Sequence, residues 1–158
     1  MSDNEFEKEQ QNGSLTFPQS AGDCKKGDYV LLNDHPCKVV DTSTNKTGKH
    51  GHAKTKLVAI DIFDGTKVED VFPSTHGVSC PYVTKKEYEL VSINEGEFVT
   101  IIGEDGQYRE DLKLPPKTDF NDYIDKLKSD YEKGLNLTLT ITSAMGAEHI
   151  VGYKENKK

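Results

Sequence analysis

The chain has 158 residues, 34% of them apolar, with a mean hydropathy of −0.70 and a formal net charge of −7. That length holds one ordinary domain or two small ones, and a domain of roughly 70 residues buries only about 60% of its chain surface, so its core has to be small and well sealed. Apolar runs such as Leu57–Ile60 last a few residues, against the about 20 that a membrane-spanning helix needs, which excludes a helical membrane protein.

Residues 1–17 are polar and acidic, with Asp3, Glu5, Glu7 and Glu9 against Lys8. They hold too few apolar groups to offset the entropy of ordering, so a disordered tail is expected. The N-terminus has neither the basic region nor the apolar stretch of a signal peptide, so a cytoplasmic location is expected. Cys24, Cys37 and Cys80 show no C-x-x-C spacing and are expected to be free thiols. From Asp28 the pattern turns to β. Tyr29–Leu32 is a predicted strand, Asn33–Pro36 a turn, Cys37–Asp41 a strand and Leu57–Phe63 a third. Asp64-Gly65 is a hairpin turn signal, Lys67–Phe72 follows with partial alternation, and Pro73, Gly77 and Pro81 punctuate the return. No helical period occurs before residue 84, so residues 18–84 are expected to form a small all-β domain.

Residues 85–158 differ. Strands are predicted over Tyr88–Ile93, Phe98–Ile102, Tyr108–Leu112, Asn136–Thr142 and Ile150–Tyr153, with turns at Asn94–Gly96 and Asp105-Gly106. A helix is predicted from near Asp119. Phe120, Tyr123, Ile124, Leu127 and Tyr131 fall on one helical face, with the aromatics expected in the core. Thr118 or Asp119 suits the cap and Gly134 the C′ position. The order β-β-β-α-β-β is that of an OB-fold, a five-stranded barrel that often binds single-stranded nucleic acid. The fold alone does not assign the ligand.

Charge is unevenly distributed. Residues 85–158 carry 15 acids against 11 bases, whereas residues 18–84 carry eight of each. Within the latter, Thr42–Lys56 holds Lys46, Lys49, Lys54 and Lys56 with His50 and His52 and no acid. The segment Thr42–Thr55 is expected to be a hairpin loop far longer than the usual about two to five residues, and such loops are functional or disordered. Gly48 and Gly51 bracket Lys49-His50 and let the chain turn sharply there. A phosphate-cradling P-loop does not fit, because no upstream glycine has the spacing and His50 stands where a hydroxyl residue belongs. A metal site on His50 and His52 needs a third ligand, for which His35 and His76 are available but unplaced. A catalytic lysine needs a pKa lowered by burial or cationic neighbours, which an exposed hairpin tip does not supply. Charge alone leaves two readings open: a solvated basic loop without a role, and a cationic finger that reaches into a polyanion and releases its counterions.

The segment Ser43-Thr44-Asn45-Lys46-Thr47-Gly48-Lys49-His50-Gly51-His52-Ala53-Lys54 resembles the signature of the eukaryotic translation initiation factor 5A family, with Asn45 in place of serine as the one departure in twelve positions. Pro36–Val40, Ala59–Phe63, Glu69-Asp70, Pro73–His76, Arg109–Leu112 and Ser143–Met145 carry the resemblance over nearly all of the chain from Cys24 to Tyr153. It implies an all-β chain of two small barrels, an SH3-like domain over 18–84 and an OB-fold with one helix over 85–158. It also implies that Lys49 is converted to hypusine. Deoxyhypusine synthase would transfer an aminobutyl group from spermidine, with NAD serving that enzyme only, and deoxyhypusine hydroxylase would follow. This chain would hold no cofactor and perform no catalysis.

By the same resemblance, Gly48, His50, Gly51 and His52 support the presentation of Lys49, and Lys46 and Lys54 contact RNA. Lys26 and Lys85 match basic positions more loosely. The implied partners are the large ribosomal subunit and peptidyl-tRNA, with a weak homodimer also entertained and no membrane. The implied function is relief of stalled peptide-bond formation, as at proline runs, and assistance in termination. A competing reading is a single-strand RNA chaperone that works through the OB-fold without modification.

Overall fold

The computed structural model describes residues 14–46 and 53–156, with the Lys46 side chain left aside. The chain divides into two compact units, Met1–Val83 with Ala144–Gly146, and Thr84–Ser143 with Ala147–Lys158. Among the described residues, no helix is long and apolar enough to cross a membrane.

The first unit contains strands β1 (Thr16–Ser20), β2 (Tyr29–Leu32), β3 (His35–Lys46), β4 (Ala53–Asp61), β5 (Lys67–Pro73) and β6 (Gly77–Pro81). β2-β3-β4-β5 form one antiparallel sheet and β1-β6 a separate pair. The expected tail is corrected at its end: Thr16 and Phe17 lie in β1, paired with Pro81 and Cys80 of β6. Residues 1–13, for which disorder was expected, lie outside the described residues. Neither β1 nor β6 is legible as a strand from alternation, because each is short and contains a proline, which suits an outer strand. The β2–β3 turn is tighter than predicted. Asn33 and Asp34 take φ of 48° and 66°, the left-handed pair of a two-residue hairpin, and His35 and Pro36 already belong to β3.

Inward-facing Val30, Leu32, Val39, Leu57 and Ala59 build the core of this unit together with Val78 of β6. The three thiols are free and buried. Burial, aided by the Asp61 charge, pushes Cys37 up to about 12. Burial and the neighbouring Cys24 do the same for Cys80.

The second unit contains β7 (Thr84–Ile93), β8 (Val99–Ile102), β9 (Tyr108–Arg109), helix α1 (Ile124–Glu132), β10 (Leu137–Ala144) and β11 (Ala147–Glu155). Their order in the sheet is β11-β10-β7-β8-β9. Leu137, Leu139 and Ile141 alternate inward from β10 and meet Val99, Ile101 and Leu127 in a second core. The sheet edges β9 and β11 are joined through side chains. Arg109 of β9 donates to both Glu148 carboxylate oxygens on β11 at 3.1 and 2.8 Å and to Asp111 at 3.0 and 2.7 Å, with its guanidinium 5.5 Å from the Tyr88 ring centre.

The helix starts later than predicted. Thr118 Oγ1 does accept a bond, from the Asn121 N–H at 3.0 Å, but Asp119–Tyr123 form turns and the helix begins at Ile124. Aspartate and asparagine, here Asp119, Asn121 and Asp122, are residue types that favour turns over helix interiors. Phe120 is therefore not on the helical core face, and it is 42% exposed. Tyr123 and Tyr131 do pack against the core. Gly134 (φ 79°) ends the helix, with its N–H on Tyr131 O and the Leu135 N–H on Asp130 O, the paired bonds of a Schellman cap.

Replacing Leu139, fully buried, by alanine is expected to cost about 2–5 kcal/mol, read as a lower denaturant midpoint. Because thiolate is the reactive form, an alkylating reagent at pH 8 is expected to label Cys37 and Cys80 only at the rate of unfolding, checked by labelling with and without denaturant.

Candidate nucleic-acid-contacting hairpin

The β3–β4 pair carries the basic segment. Pairing runs from Cys37↔Asp61 out to Lys46↔Ala53, whereas β5 accompanies β4 only as far as Lys54↔Pro73. Most of the expected long loop is thus strand: Thr42–Lys46 belong to β3 and Ala53–Thr55 to β4, leaving residues 47–52 as the connection. Threonine-rich, partly alternating sequence suits a pleated ribbon, which the absence of large apolar residues disguises. Lys49, with Gly48, His50, Gly51 and His52, lies outside the described residues.

Of the other expected contacts, Lys46 ends β3, and Lys54 sits beside it across the ribbon in the Asn45↔Lys54 pair. Lys54 is exposed, and among the described residues no carboxylate lies within salt-bridge distance of it. The basic stretch is not wholly unopposed, however. Glu69 of β5 lies 3.1 Å from Lys56 Nζ and 3.4 Å from Lys67 Nζ, and these lysines hold its carboxyl below the usual range. Lys26 is exposed in the turn before β2, and Lys85 is exposed on β7 of the other unit. Lys85 lines a groove of about 800 Å³ with Lys86, Tyr88, Tyr108 and Arg109, but Glu87, Glu104 and Asp105 line it too. Equal numbers of each charge weaken this groove as a phosphate track.

The histidines considered as extra metal ligands have other engagements. His35 Nδ1 lies 2.6 Å from Asp61 Oδ2, and His76 stacks on Phe72 with ring centres 5.3 Å apart. His35, Asp61 and Asp64 do present donor atoms within 4.8 Å of one another. Asp61 Oδ1 already accepts the Phe63 and Asp64 N–H groups, so both Asp61 oxygens are committed to protein donors.

A set of hydroxyls missed by motif reading lies at the root of the ribbon. Thr55, fully buried, is 3.1 Å from Thr44 Oγ1 across the pair and 2.8 Å from Ser74 Oγ in the turn after β5. The Ser74 N–H donates to Ala53 O at 2.9 Å, and its carbonyl accepts the Gly22 N–H at 2.8 Å. The one signal in the sequence was a threonine in phase with Leu57 and Ala59, where an apolar residue would otherwise be expected.

The chain as a whole is similar to known proteins. A family model described as translation initiation factor 5A-like, N-terminal, matches residues 14–76, and one described as eukaryotic elongation factor 5A hypusine, DNA-binding OB fold, matches residues 82–154. The chain belongs to the eukaryotic translation initiation factor 5A family. It is 46% identical over 158 residues to eukaryotic translation initiation factor 5A-1/2 of Solanum tuberosum, covering 98% of this chain and 97% of that protein. It is 45% identical over 159 residues to the Zea mays factor 5A, covering 98% of each. Among solved structures, the translation initiation factor 5A family protein of Naegleria fowleri superposes with a TM-score of 0.82 at 46% identity, covering 89% of this chain and 99% of that one. The factor 5A of Methanococcus jannaschii gives 0.66 at 28%, covering 89% and 96%. The barrel followed by an OB-fold is therefore the family architecture, and the family is one of translation factors, not enzymes.

A Cβ at Gly22 would lie 3.0 Å from Ser74 Cβ and 3.1 Å from Ser74 O. Ser74 is tethered on three sides and cannot yield, so Gly22→Ala is expected to cost about 1–3 kcal/mol as an overpacking change, measured by thermal or urea unfolding.

Proposed function

We propose that this chain acts in the cytoplasm as a ribosome-binding factor, with Lys49 as its working group after conversion to hypusine. The carrying observation is that β3 and β4 stay paired to Lys46↔Ala53, one residue past Lys54, the last β4 residue with a β5 partner. Residues 47–52, with Lys49 among them, thus connect β3 to β4 at the end of the sheet where β5 has stopped.

On this reading deoxyhypusine synthase moves an aminobutyl group from spermidine to Lys49 Nζ, using its own NAD, and deoxyhypusine hydroxylase adds the oxygen. The product has a longer stem, a second amine and a hydroxyl that both donates and accepts. Such a group follows a phosphate–sugar backbone further than lysine does. Ordering a lysine side chain costs up to about 2 kcal/mol, so several contacts to the peptidyl-tRNA are needed to hold it. Lys46 and Lys54, neighbours across the ribbon, add phosphate contacts beside it. Gly48, His50, Gly51 and His52 shape the tip, and Lys26 and Lys85 supply outlying contacts on the large subunit. Stabilised peptidyl-tRNA then favours peptide-bond formation at stalled sites such as proline runs, and termination.

Peptide mass spectrometry across Lys46–Lys54 of native material is expected to show the mass of one aminobutyl group plus one oxygen on Lys49. Lys49→Arg, which cannot accept that group, is expected to abolish stimulation of proline-run synthesis while leaving the fold intact. Native chain unmodified at Lys49, or a fully active arginine variant, would sink the reading and favour an RNA chaperone that works without modification.

A further inference from the structure

We propose that the hydroxyl chain Thr44–Thr55–Ser74 is a positioning device that fixes the direction in which the β3–β4 ribbon leaves its sheet, and thereby presents Lys49 to the enzyme that modifies it. The inference rests on the role given to Lys49 above.

A hydroxyl buried at Thr55 needs a reason. The next inward positions of β4, Leu57 and Ala59, are apolar and fully buried, and valine would fill the same space without the cost of desolvating an oxygen. Thr55 occupies the level at which β4 is about to lose β5, its last partners there being Phe72 for Thr55 and Pro73 for Lys54. Beyond Lys54↔Pro73 the described ladder holds one more pair, Lys46↔Ala53. A two-stranded ribbon is marginal by itself and twists more than a full sheet does, so its direction has to be set at the root.

The hydroxyls set it by tying four pieces of chain at one level. Thr55 Oγ1 reaches Thr44 of the opposite strand at 3.1 Å and Ser74 of the following turn at 2.8 Å. Ser74 holds β4 a second time through its N–H to Ala53 O, and is itself held by the Gly22 N–H on its carbonyl. The Ala21 N–H on His76 O braces the same turn from the same 3₁₀ segment. The grip on β4 thus alternates between backbone and side chain, a geometry that resists rotation of the ribbon as well as fraying.

The test uses the full chain, unmodified, as the varied substrate of deoxyhypusine synthase with spermidine and NAD. Thr55→Val keeps the shape and removes the hydroxyl, and Thr55→Ser restores it. Loss of one such bond corresponds to about a fivefold change in an equilibrium. The valine variant is expected to raise the KM of the chain about fivefold with kcat nearly unchanged, and the serine variant to bring KM back. Ser74→Ala should raise KM in the same way and guards against a misfolded Thr55 variant. Unchanged KM in both Thr55→Val and Ser74→Ala overturns the proposal. Amide exchange at Thr42–Lys46 and Ala53–Thr55 gives a reading independent of modification. It is expected to quicken about fivefold in both variants, with the β7–β11 amides unaffected. If the parent chain is not modified at Lys49, the proposed function fails, and exchange alone decides. Quickening confined to the ribbon sustains the positioning role, and unchanged protection refutes it.

Discussion

The antiparallel pairing of β3 with β4 is the constraint on which the functional reading depends. A strand at a sheet edge leaves one row of N–H and C=O groups without a strand partner, and β3 beyond Val39 has β4 as its one partner strand among the described residues. The ladder to β4 from Cys37↔Asp61 to Lys46↔Ala53 holds the outer part of β3, while β4 keeps β5 to Lys54↔Pro73. Thr42–Lys46 of β3 are threonine, serine, asparagine and lysine, residue types that tolerate water and discourage pairing with a stranger. The same composition makes the segment unable to form a core of its own, so its order is borrowed from the barrel behind it.

The second unit solves the edge problem differently. Its sheet order leaves β9 and β11 at the two ends. β9 is two residues long, too short for an extensive backbone ladder. Arg109 spans the gap with a planar fork that satisfies Glu148 in bidentate fashion, the geometry in which a guanidinium differs most from a lysine ammonium. That investment of the cation in Glu148 and Asp111 removes it from any account of polyanion binding. The groove beside it therefore owes its cationic character to Lys85 and Lys86 alone, against three acids.

Much of this was legible in the sequence, and the misses have physical causes. Alternation marked β5 and β10, each of which packs one face on a core, and short apolar runs marked β2, β4 and β8. Pattern reading missed β1 and β6, where Pro18 and Pro81 interrupt it, and it stopped β3 at Asp41 because Thr42–Lys46 contain no apolar residue to reveal their phase. The helix was placed a turn too early because Phe120 happens to fit the apolar spacing of Tyr123, Ile124 and Leu127, while the turn chemistry of Asp119, Asn121 and Asp122 prevails. The lysine segment stood out by charge and by its resemblance to a family signature. The hydroxyls beneath it did not, since their importance lies in contacts between residues 11 and 19 positions apart that no local pattern encodes.

One irregularity in β3 has reach beyond its size. The register shifts between Val39 and Asp41, so that Val40 stands opposite no single partner and is left 38% exposed. Such an extra residue reverses the inside–outside phase of everything that follows it. Counting straight on from Val39↔Ala59 without it would set Ser43, not Thr44, across from Thr55. The strand thus works as a vernier, its offset of one position converting the frame suited to the barrel into the frame suited to the arm. Chain length between Val39 and Lys46 is accordingly a quantity natural variation cannot alter by one without inverting the arm, however permissive the individual side chains.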